Sequence, residues 1–359
     1  MTTDLVTWLD TAEPDAVTAA AGPKMGSLAE LGRAGFGVPR GFAVTTAAYA
    51  LHVGASGLDL LADRVLAGVR DPHRQEAVEA ASARIRGAFE EVDVIEPVAA
   101  AVVECYGELC DRSSRPQVPA AVRSSATGED SASASFAGVF DTHLGVSGSG
   151  RVVEAVRSCW ASLFTGRAIR YRLEHGLSHR RTPMGVGVVE LVNARSSGVA
   201  FSVHPVTGKR DRMVIEANWG WGEAVVRGLV TPDRVEVGKD DRRVLRHEVA
   251  AKEFLSVLDG RAGRVAEVPM PERLRKRAVL DEEEIGCVVD AVLAIERHYG
   301  HPVDVEWVID RDRVPGGQVT IVQARPITVQ PRSGTVAAWD PVAYAAKYAF
   351  GSGAGRPCR

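Results

Sequence analysis

The sequence predicts an α+β fold, because helical and strand periodicities occupy different parts of the 359-residue chain. Apolar residues recur at intervals of three and four between residues 60 and 110, and again between 151 and 164, as in amphipathic helices. From residue 184 the spacing changes to short β-rich runs separated by turn residues. We therefore expect a helical, loop-rich N-terminal half and a sheet-rich C-terminal half.

The predicted elements follow this order along the chain. The clearest helix is 151–164, where the apolar side chains form one face: Val152, Val153, Val156, Cys159, Trp160 and Leu163. The predicted strands are 186–192, 198–203, 213–217, 303–309 and 319–323. A second long helix, at about 281–299, interrupts them.

Composition excludes several functional classes. The formal net charge of −3 gives no sign of a nucleic-acid surface. No apolar run approaches the roughly 18 residues of a membrane span, and the N-terminus does not resemble a signal peptide. The five cysteines form no CxxC pair. We expect a cytoplasmic protein that binds neither nucleic acid nor membrane.

Four polar side chains near the end of the chain are predicted to share one face of a hairpin. In "VDVEWVI" the alternation places Asp304 and Glu306 together, and in "VTIVQAR" it places Gln323 and Arg325 together. Carboxylate and amide oxygens bind Mg²⁺, and an arginine fork binds phosphate oxygens. The pattern favours a magnesium–phosphate site, with a solvated polar face carrying a surface ion pair as the alternative.

A lysine with glycines on either side lies in "GPKMGSLAEL", residues 22–31, just before a helical stretch. Lys24 is suited to meet a phosphate as a point charge, helped by free amides at the helix start. The segment is not a Walker loop, because GxxxxGK[ST] is absent. A lysine in a surface turn is the alternative.

A hydroxyl-rich stretch, "AVRSSATGEDSASASFAGVFDTHLGV", occupies residues 121–146. Arg123 is predicted to end a strand and point into a cleft, while the serine and threonine hydroxyls and glycine amides that follow wrap a triphosphate. A disordered linker is the alternative. The abrupt return to apolar residues argues against it.

These segments resemble, in the same order, the nucleotide-binding domain of the phosphoenolpyruvate synthase and pyruvate phosphate dikinase family, which has an ATP-grasp fold. The similarity covers about residues 20–330. Besides the segments already quoted, it includes "ASLFTGRAIRYR", "SSGVAFSVHPVTG", "GWGEAVVRGLVTPD" and "VDVEWVID…VTIVQARPITV".

The resemblance implies two lobes with mixed sheets, at residues 1–183 and 184–330, and a tail at 331–359. It implies binding of ATP and Mg²⁺. The triphosphate would be held by Lys24, Arg123, Arg167 and Arg325. The metal would be held by Glu306 and Gln323, supported by Asp304. The other nucleotide contacts would be Glu190, Leu191 and Val192 at the adenine, Glu223 at the ribose or metal, and Ser135 and Gly138 in a serine-rich lid.

Three positions depart from the family pattern. Pro23 stands where a second glycine is usual and removes a backbone donor near the phosphates. Met25 also replaces a glycine, so we expect a stiffer loop. Leu191 replaces a frequent methionine at the adenine hinge, which we expect to be harmless.

Family enzymes continue with a domain whose histidine accepts phosphate, and no such segment follows here. We therefore expect the ATP-binding subunit of a split dikinase, a phosphotransferase similar to pyruvate, water dikinase. It would transfer the β-phosphoryl group of ATP to a histidine on a separate partner protein, which serves an acceptor-binding subunit. The final acceptor would be pyruvate, a phenol or a drug hydroxyl. The alternatives are a self-contained ATP-grasp kinase or ligase and a non-catalytic nucleotide-binding regulator.

Overall fold

The computed structural model describes residues 5–126, 140–222, 230–259 and 264–327. The chain forms two compact units. The first consists of Met1–Glu30, Arg40–Leu191 and Gly260–Arg264, and the second of Leu31–Pro39, Val192–Asp259 and Val265–Arg359. Within the described residues, no helix has both the length and the apolar character needed to cross a membrane.

The first unit contains a five-stranded antiparallel sheet with the strand order β1-β2-β5-β3-β4. Its strands are β1 (Val6–Trp8), β2 (Gly41–Val44), β3 (Ala120–Ala126), β4 (Thr142–Val146) and β5 (Met184–Glu190). Central strands β2 and β5 are buried over almost their whole length, since β5 exposes only part of its last residue. They therefore read as continuous apolar runs rather than as alternating ones.

Eight helices complete the first unit or lead out of it: α1 (Pro14–Ala21), α2 (Pro23–Arg33), α3 (Thr46–Ala55), α4 (Leu58–Ala67), α5 (Gln75–Glu91), α6 (Glu96–Arg112), α7 (Ser149–Ser162) and α8 (Gly166–Glu174). A 3₁₀ turn at His179–Arg181 precedes β5. The apolar face predicted for 151–164 is buried on α7, where Trp160 is fully enclosed. Helices α5 and α6 bury their apolar faces in the same core.

The second unit contains a six-stranded antiparallel sheet with the order β13-β12-β6-β7-β8-β9, and a two-stranded ladder of β10 and β11. The strands are β6 (Ala194–Phe201), β7 (Arg212–Trp219), β8 (Asp233–Gly238), β9 (Val244–Glu248), β10 (Phe254–Asp259), β11 (Arg264–Pro269), β12 (Val303–Asp310) and β13 (Thr320–Pro326). Its helices are the single turn α9 (Glu272–Arg275) and the long α10 (Glu282–Tyr299).

One face of the six-stranded sheet packs against α10. This core includes Val305 and Trp307 of β12 and Val288 and Val292 of α10, all nearly or fully buried. Helix α10 begins with a capping box, in which the Asp281 side chain accepts from the Glu284 amide and the Glu284 side chain accepts from the Asp281 amide. The opposite face carries polar residues of β12 and β13 together with a small apolar cluster that includes Val199, Phe201 and Val214.

A buried ion pair holds the connections around β8. The Asp233 carboxylate accepts from Lys252 Nζ at 2.5 Å, from the Ala250 amide at 2.9 Å and from the Val279 amide at 2.8 Å. The side chains of Asp233 and Lys252 are 1% and 0% exposed. The partners named here lie inside the protein, and they come from two chain segments, 250–252 and 279, that meet at the carboxylate of β8.

The predicted α+β class is confirmed, and so are the long helices and the five predicted strands, with small shifts of their ends. Two features differ. The N-terminal half contributes four strands, β1 to β4, to a sheet, and the strand predicted as 186–192 at the start of the C-terminal lobe pairs with β2 and β3 of the first unit. The lobe assignments 1–183 and 184–330, and the tail 331–359, otherwise stay predictions.

Candidate functional site

In the first unit, the lysine turn contacts the end of β3. Pro23 occupies the first position of α2, where its missing amide leaves no unmade helical hydrogen bond. Lys24 therefore lies in the first turn of this helix rather than ahead of it, and its Nζ donates to the Ser124 carbonyl at 3.4 Å. Gly22 has φ of 87°, and a Cβ there would lie 2.6 Å from the Ser125 carbonyl oxygen and Oγ. Only glycine fits this approach.

Two buried hydroxyls lie beside this contact. Arg123 is half-buried in β3, directly opposite Gly187 of β5. The Oγ atoms of Ser124 and Ser125 are enclosed and have no hydrogen-bond partner among the described residues. Because buried hydroxyls are almost always paired, the end of β3 has the hydrogen-bonding capacity to hold a polar ligand.

Met25 has a packing role. Its side chain is fully buried, and a Cβ at Gly187 would lie 2.1 Å from the Met25 sulfur. Gly26 also permits a close approach, because a Cβ there would lie 1.8 Å from Thr18 Oγ1 of α1. The Met25 side chain thus fills the space beside Gly187 of β5. The expected stiffening of the loop stays a prediction.

The other predicted nucleotide contacts of the first unit lie on two elements. Arg167 is exposed in the first turn of α8. Glu190 ends β5, and its carboxylate accepts a hydrogen bond from the Ser113 hydroxyl. The predicted strand 186–192 therefore stops two residues early, and the Leu191 amide donates to the Pro119 carbonyl at 2.7 Å.

Val192 begins the second unit, where its carbonyl accepts from Trp221 Nε1 at 2.9 Å. That carbonyl therefore already has an indole donor. The predicted residues Ser135 and Gly138 of the serine-rich lid, and Glu223, lie outside the described residues. Their roles stay predictions, as do the adenine contacts.

In the second unit, the predicted hairpin is present and places its four polar side chains on one face. Strands β12 and β13 pair so that Asp304 is opposite Arg325 and Glu306 is opposite Gln323. Directly opposed residues of an antiparallel pair project to the same side of the sheet. A bulge after this pair lets Trp307 and Ile321 face the core on the other side.

Asp304 and Arg325 form a close ion pair. Asp304 Oδ2 accepts from Arg325 Nε at 2.8 Å and lies 2.7 Å from Nη2. The aspartate side chain is 8% exposed and the arginine side chain 21% exposed. The carboxylate thus orients the guanidinium, whereas the resemblance had assigned Asp304 to support Glu306 and Gln323.

Glu306 and Gln323 fit a magnesium ion. A carboxylate and an amide face each other across one ladder position, and both offer oxygen ligands. Among the described residues, no group of three or more His, Cys, Asp or Glu side chains could hold a metal. Two protein oxygen ligands suit an ion that keeps waters and takes further ligands from a phosphate, as Mg²⁺ does.

Two residues that the sequence analysis missed share this face. Glu306 is opposite Val199 of β6, which is opposite Glu216 of β7, so Glu216 projects to the same side, and Asn218 follows by alternation. Glu216 Oε1 and Asn218 Oδ1 are buried without hydrogen-bond partners among the described residues. The available signal was an acid and an amide two residues apart in the apolar strand "MVIEANW".

The pKa of Glu216 is raised to about 7, chiefly by burial. The Arg234 guanidinium opposes this shift, and the negative charge of Asp304 adds to it. The Glu216 carboxyl is therefore partly protonated near neutral pH, and its pKa depends on the charge of Asp304 in the hairpin. A cation placed beside Asp304 would favour its ionised form.

These features suit a nucleotide-binding domain. Residues 18–343 match the model of the pyruvate phosphate dikinase AMP/ATP-binding domain, and the chain belongs to that family. The α+β architecture agrees with the predicted ATP-grasp-like fold.

Among individual proteins, the chain is 40% identical over 323 residues to a probable phosphoenolpyruvate synthase of Methanocaldococcus jannaschii, covering 90% of this chain and 26% of that protein. It is 40% identical over 308 residues to the probable phosphoenolpyruvate synthase of Methanothermobacter thermautotrophicus, covering 86% and 44%. It is 36% identical over 351 residues to the phosphoenolpyruvate synthase of Aeropyrum pernix, covering 91% and 43%. The chain thus spans less than half the length of these relatives.

Proposed function

We propose that this chain binds Mg-ATP and transfers the β-phosphoryl group to a histidine on a separate protein, releasing AMP and phosphate. The observation that carries the proposal is the hairpin face, where an oriented arginine lies beside a carboxylate–amide pair suited to Mg²⁺. Membership of the AMP/ATP-binding domain family supports the nucleotide, and the names of the relatives support a phosphotransferase. The same names favour pyruvate as the final acceptor, ahead of a phenol or a drug hydroxyl.

In this proposal, several of the described residues bind the phosphates, each according to its charge and position. Lys24 brings a point charge and Arg123 a guanidinium to the phosphates, while the Ser124 and Ser125 hydroxyls offer hydrogen bonds. Arg325 binds phosphate oxygens in the orientation that Asp304 imposes.

Glu306 and Gln323 would hold Mg²⁺, which neutralises charge on the phosphates when bound. The acceptor imidazole attacks the β-phosphorus, AMP leaves with the bridging oxygen, and water releases the terminal phosphate. Phosphoryl transfer needs little beyond such positioning and charge neutralisation.

The test is to incubate the purified chain with ATP labelled at the β-phosphate and Mg²⁺. The histidine-bearing segment of a phosphoenolpyruvate synthase, produced separately, is then added or omitted. We expect AMP to form only with this partner, with the label on its histidine. Glu306→Gln should abolish AMP formation while leaving the circular-dichroism spectrum unchanged. Exposed Glu272→Gln is the matched control and should retain activity, since its side chain is 86% exposed on α9.

Other products identify the alternatives. ADP formed with a small substrate and no partner would indicate a self-contained kinase or ligase. ATP bound but never cleaved, whatever partner is supplied, would indicate a nucleotide-binding regulator. Either result contradicts the proposed transfer.

A further inference from the structure

Among the buried polar atoms that have no hydrogen-bond partner in the described residues, three clusters bear on ligand binding. The first is the pair of hydroxyls of Ser124 and Ser125, and the second is Glu216 with Asn218. The first lies beside Lys24 in the first unit, and the second lies on the hairpin face of the second unit, so both belong to positions already considered for the nucleotide. The third cluster lies among the helices of the first unit, and the proposed function gives it no role. Unpaired buried groups are rare enough that each group of them requires an explanation.

The third cluster includes His179, which lines a cavity of about 200 Å³, and Arg172, which packs on the lining residue Phe164. Its apolar lining consists of Tyr49, Val53, Leu58, Phe89, Phe164 and Pro183. For comparison, an apolar cavity of about 150 Å³ holds a benzene molecule. This cavity therefore has room for a single ring with one small substituent.

A buried positive charge, which is not itself part of the lining, packs on one of the lining residues. Arg172 is 3% exposed, and its Nη1 and Nη2 atoms have no hydrogen-bond partner among the described residues. Its Cζ lies 5.4 Å from the ring centroid of Phe164, a cation–π distance. Burial lowers the pKa of Arg172 to about 10, so the guanidinium stays charged at neutral pH. A buried charge normally has a counter-ion or a full set of hydrogen bonds.

The carboxylates at the rim of the cavity are already engaged. Asp59 lies 3.4 Å from Arg180 Nη1, and Asp63 accepts from the same guanidinium. His179 lines the cavity and lies 3.1 Å from Asp63, and burial lowers its pKa, so it is neutral at pH 7. The rim charges therefore satisfy each other and leave Arg172 without an ion pair in the described part of the chain.

We propose that this cavity binds a small organic anion with a single-ring apolar body. The ring would lie among Tyr49, Phe89 and Phe164, and the negative charge would be stabilised by Arg172. The segment "ASLFTGRAIRYR" supplies both Phe164 and Arg172, although only Arg167 within it was assigned to the nucleotide. The site does not depend on the proposed phosphoryl transfer. In the competing explanation, Arg172 only packs on Phe164.

The test is ligand-observed NMR on the full chain without nucleotide, with benzoate and its uncharged counterpart benzyl alcohol as probes. We expect saturable binding of both, with benzoate tighter by about tenfold or more, as for a hydrogen-bonded charge. Val53→Phe fills the cavity and should abolish binding of both probes. Leu51→Phe lies on the same helix at a position that is 45% exposed and outside the lining, and should bind both like the wild type.

Arg172→Met tests the source of the selectivity. It should weaken benzoate binding to the level of benzyl alcohol while leaving benzyl alcohol binding intact. If this variant fails to fold, the two probes and the Val53→Phe and Leu51→Phe pair still decide the question. The proposal is overturned by benzyl alcohol binding as tightly as benzoate, by benzoate binding that Val53→Phe leaves unchanged, or by no saturable binding of benzoate. None of these readouts depends on AMP formation.

Discussion

One carboxylate oxygen of Asp304 engages both Nε and Nη2 of Arg325 across the β12–β13 ladder, at 2.8 and 2.7 Å. The guanidinium is therefore held in one orientation before any phosphate arrives. Because the aspartate side chain is only 8% exposed, water competes weakly for this contact. In the proposed function, Arg325 meets the phosphates and Asp304 positions it.

Asp304→Asn should therefore impair turnover more than nucleotide affinity. The amide keeps the shape of the side chain but loses its charge, so Arg325 is less firmly oriented. We expect a loss of roughly 10- to 100-fold in the rate of AMP formation, with a much smaller change in KM for ATP. Asp310→Asn, at the far end of β12 where the carboxylate accepts from the Asp312 amide, is the control and should stay close to wild type. Equal losses in both variants would rule out the positioning role.

Gly22→Ala should disrupt the lysine turn. Its φ of 87° adds a backbone cost of about 1–2 kcal/mol for any other residue, and the new Cβ would collide with Ser125. Gly35→Ala is a matched control, since φ is 88° there and nothing lies within 4 Å of the added carbon. We expect Gly22→Ala to weaken ATP binding by about tenfold or more in calorimetry, and Gly35→Ala only to lower stability. Identical ATP affinities for the two variants would show that the Gly22–Ser125 contact does not shape the site.

Glu216 should make the protein less stable as the pH rises. The pKa of Glu216 is about 7 in the folded state, above the ordinary value of 4.5 expected in the unfolded state. Between these two pH values the folded state therefore binds a proton that the unfolded state has lost. The unfolding free energy should fall by about 3 kcal/mol across this window, and Glu216→Gln should remove that part of the slope. Urea unfolding at about pH 4.5 and about pH 8 measures it. Glu272→Gln, an exposed glutamate, should keep the wild-type slope, and a wild-type slope in Glu216→Gln would refute the assignment.

The Asp233–Lys252 pair should contribute far more to stability than an exposed pair of the same length. Lys252→Ala leaves the Asp233 charge buried, and we expect a loss of about 3–5 kcal/mol. Arg242 and Asp290 are also 2.5 Å apart, but their side chains are 55% and 58% exposed, so Arg242→Ala should cost less than about 1 kcal/mol. Chemical denaturation of both variants makes the comparison. Similar losses would mean that burial does not set the strength of these pairs.

Much of the second unit could be predicted from local pattern alone. The alternation in "VDVEWVI" placed Asp304 and Glu306 on one face, and the hairpin confirms that placement. In the first unit, the helix predicted at 151–164 was equally predictable, because α7 buries one face and exposes the other. Both elements separate a polar side from an apolar side, and this separation is what periodicity detects.

The first sheet was predicted only in part. Strand β5 was expected as 186–192 and Arg123 was expected to end a strand, but β2 is buried along its whole length and shows no alternation, so it blends into the surrounding apolar sequence. The contact of Gly22 with Ser125 joins positions 100 residues or more apart, and no local pattern encodes such a pairing. The buried charge of Arg172 was hidden as well, because an arginine near the end of an amphipathic helix usually faces solvent.

The bulge between β12 and β13 places Glu306 and Gln323 on the polar face and Trp307 and Ile321 in the core. The position of the polar side chains therefore depends on how the core packs. If the pairing slipped by one residue, Trp307 would turn out to water and Glu306 would turn in against α10. Both moves are unfavourable, so burial of Trp307 favours the observed register. The spacing of the carboxylate and the amide therefore depends on a tryptophan on the opposite face of the sheet.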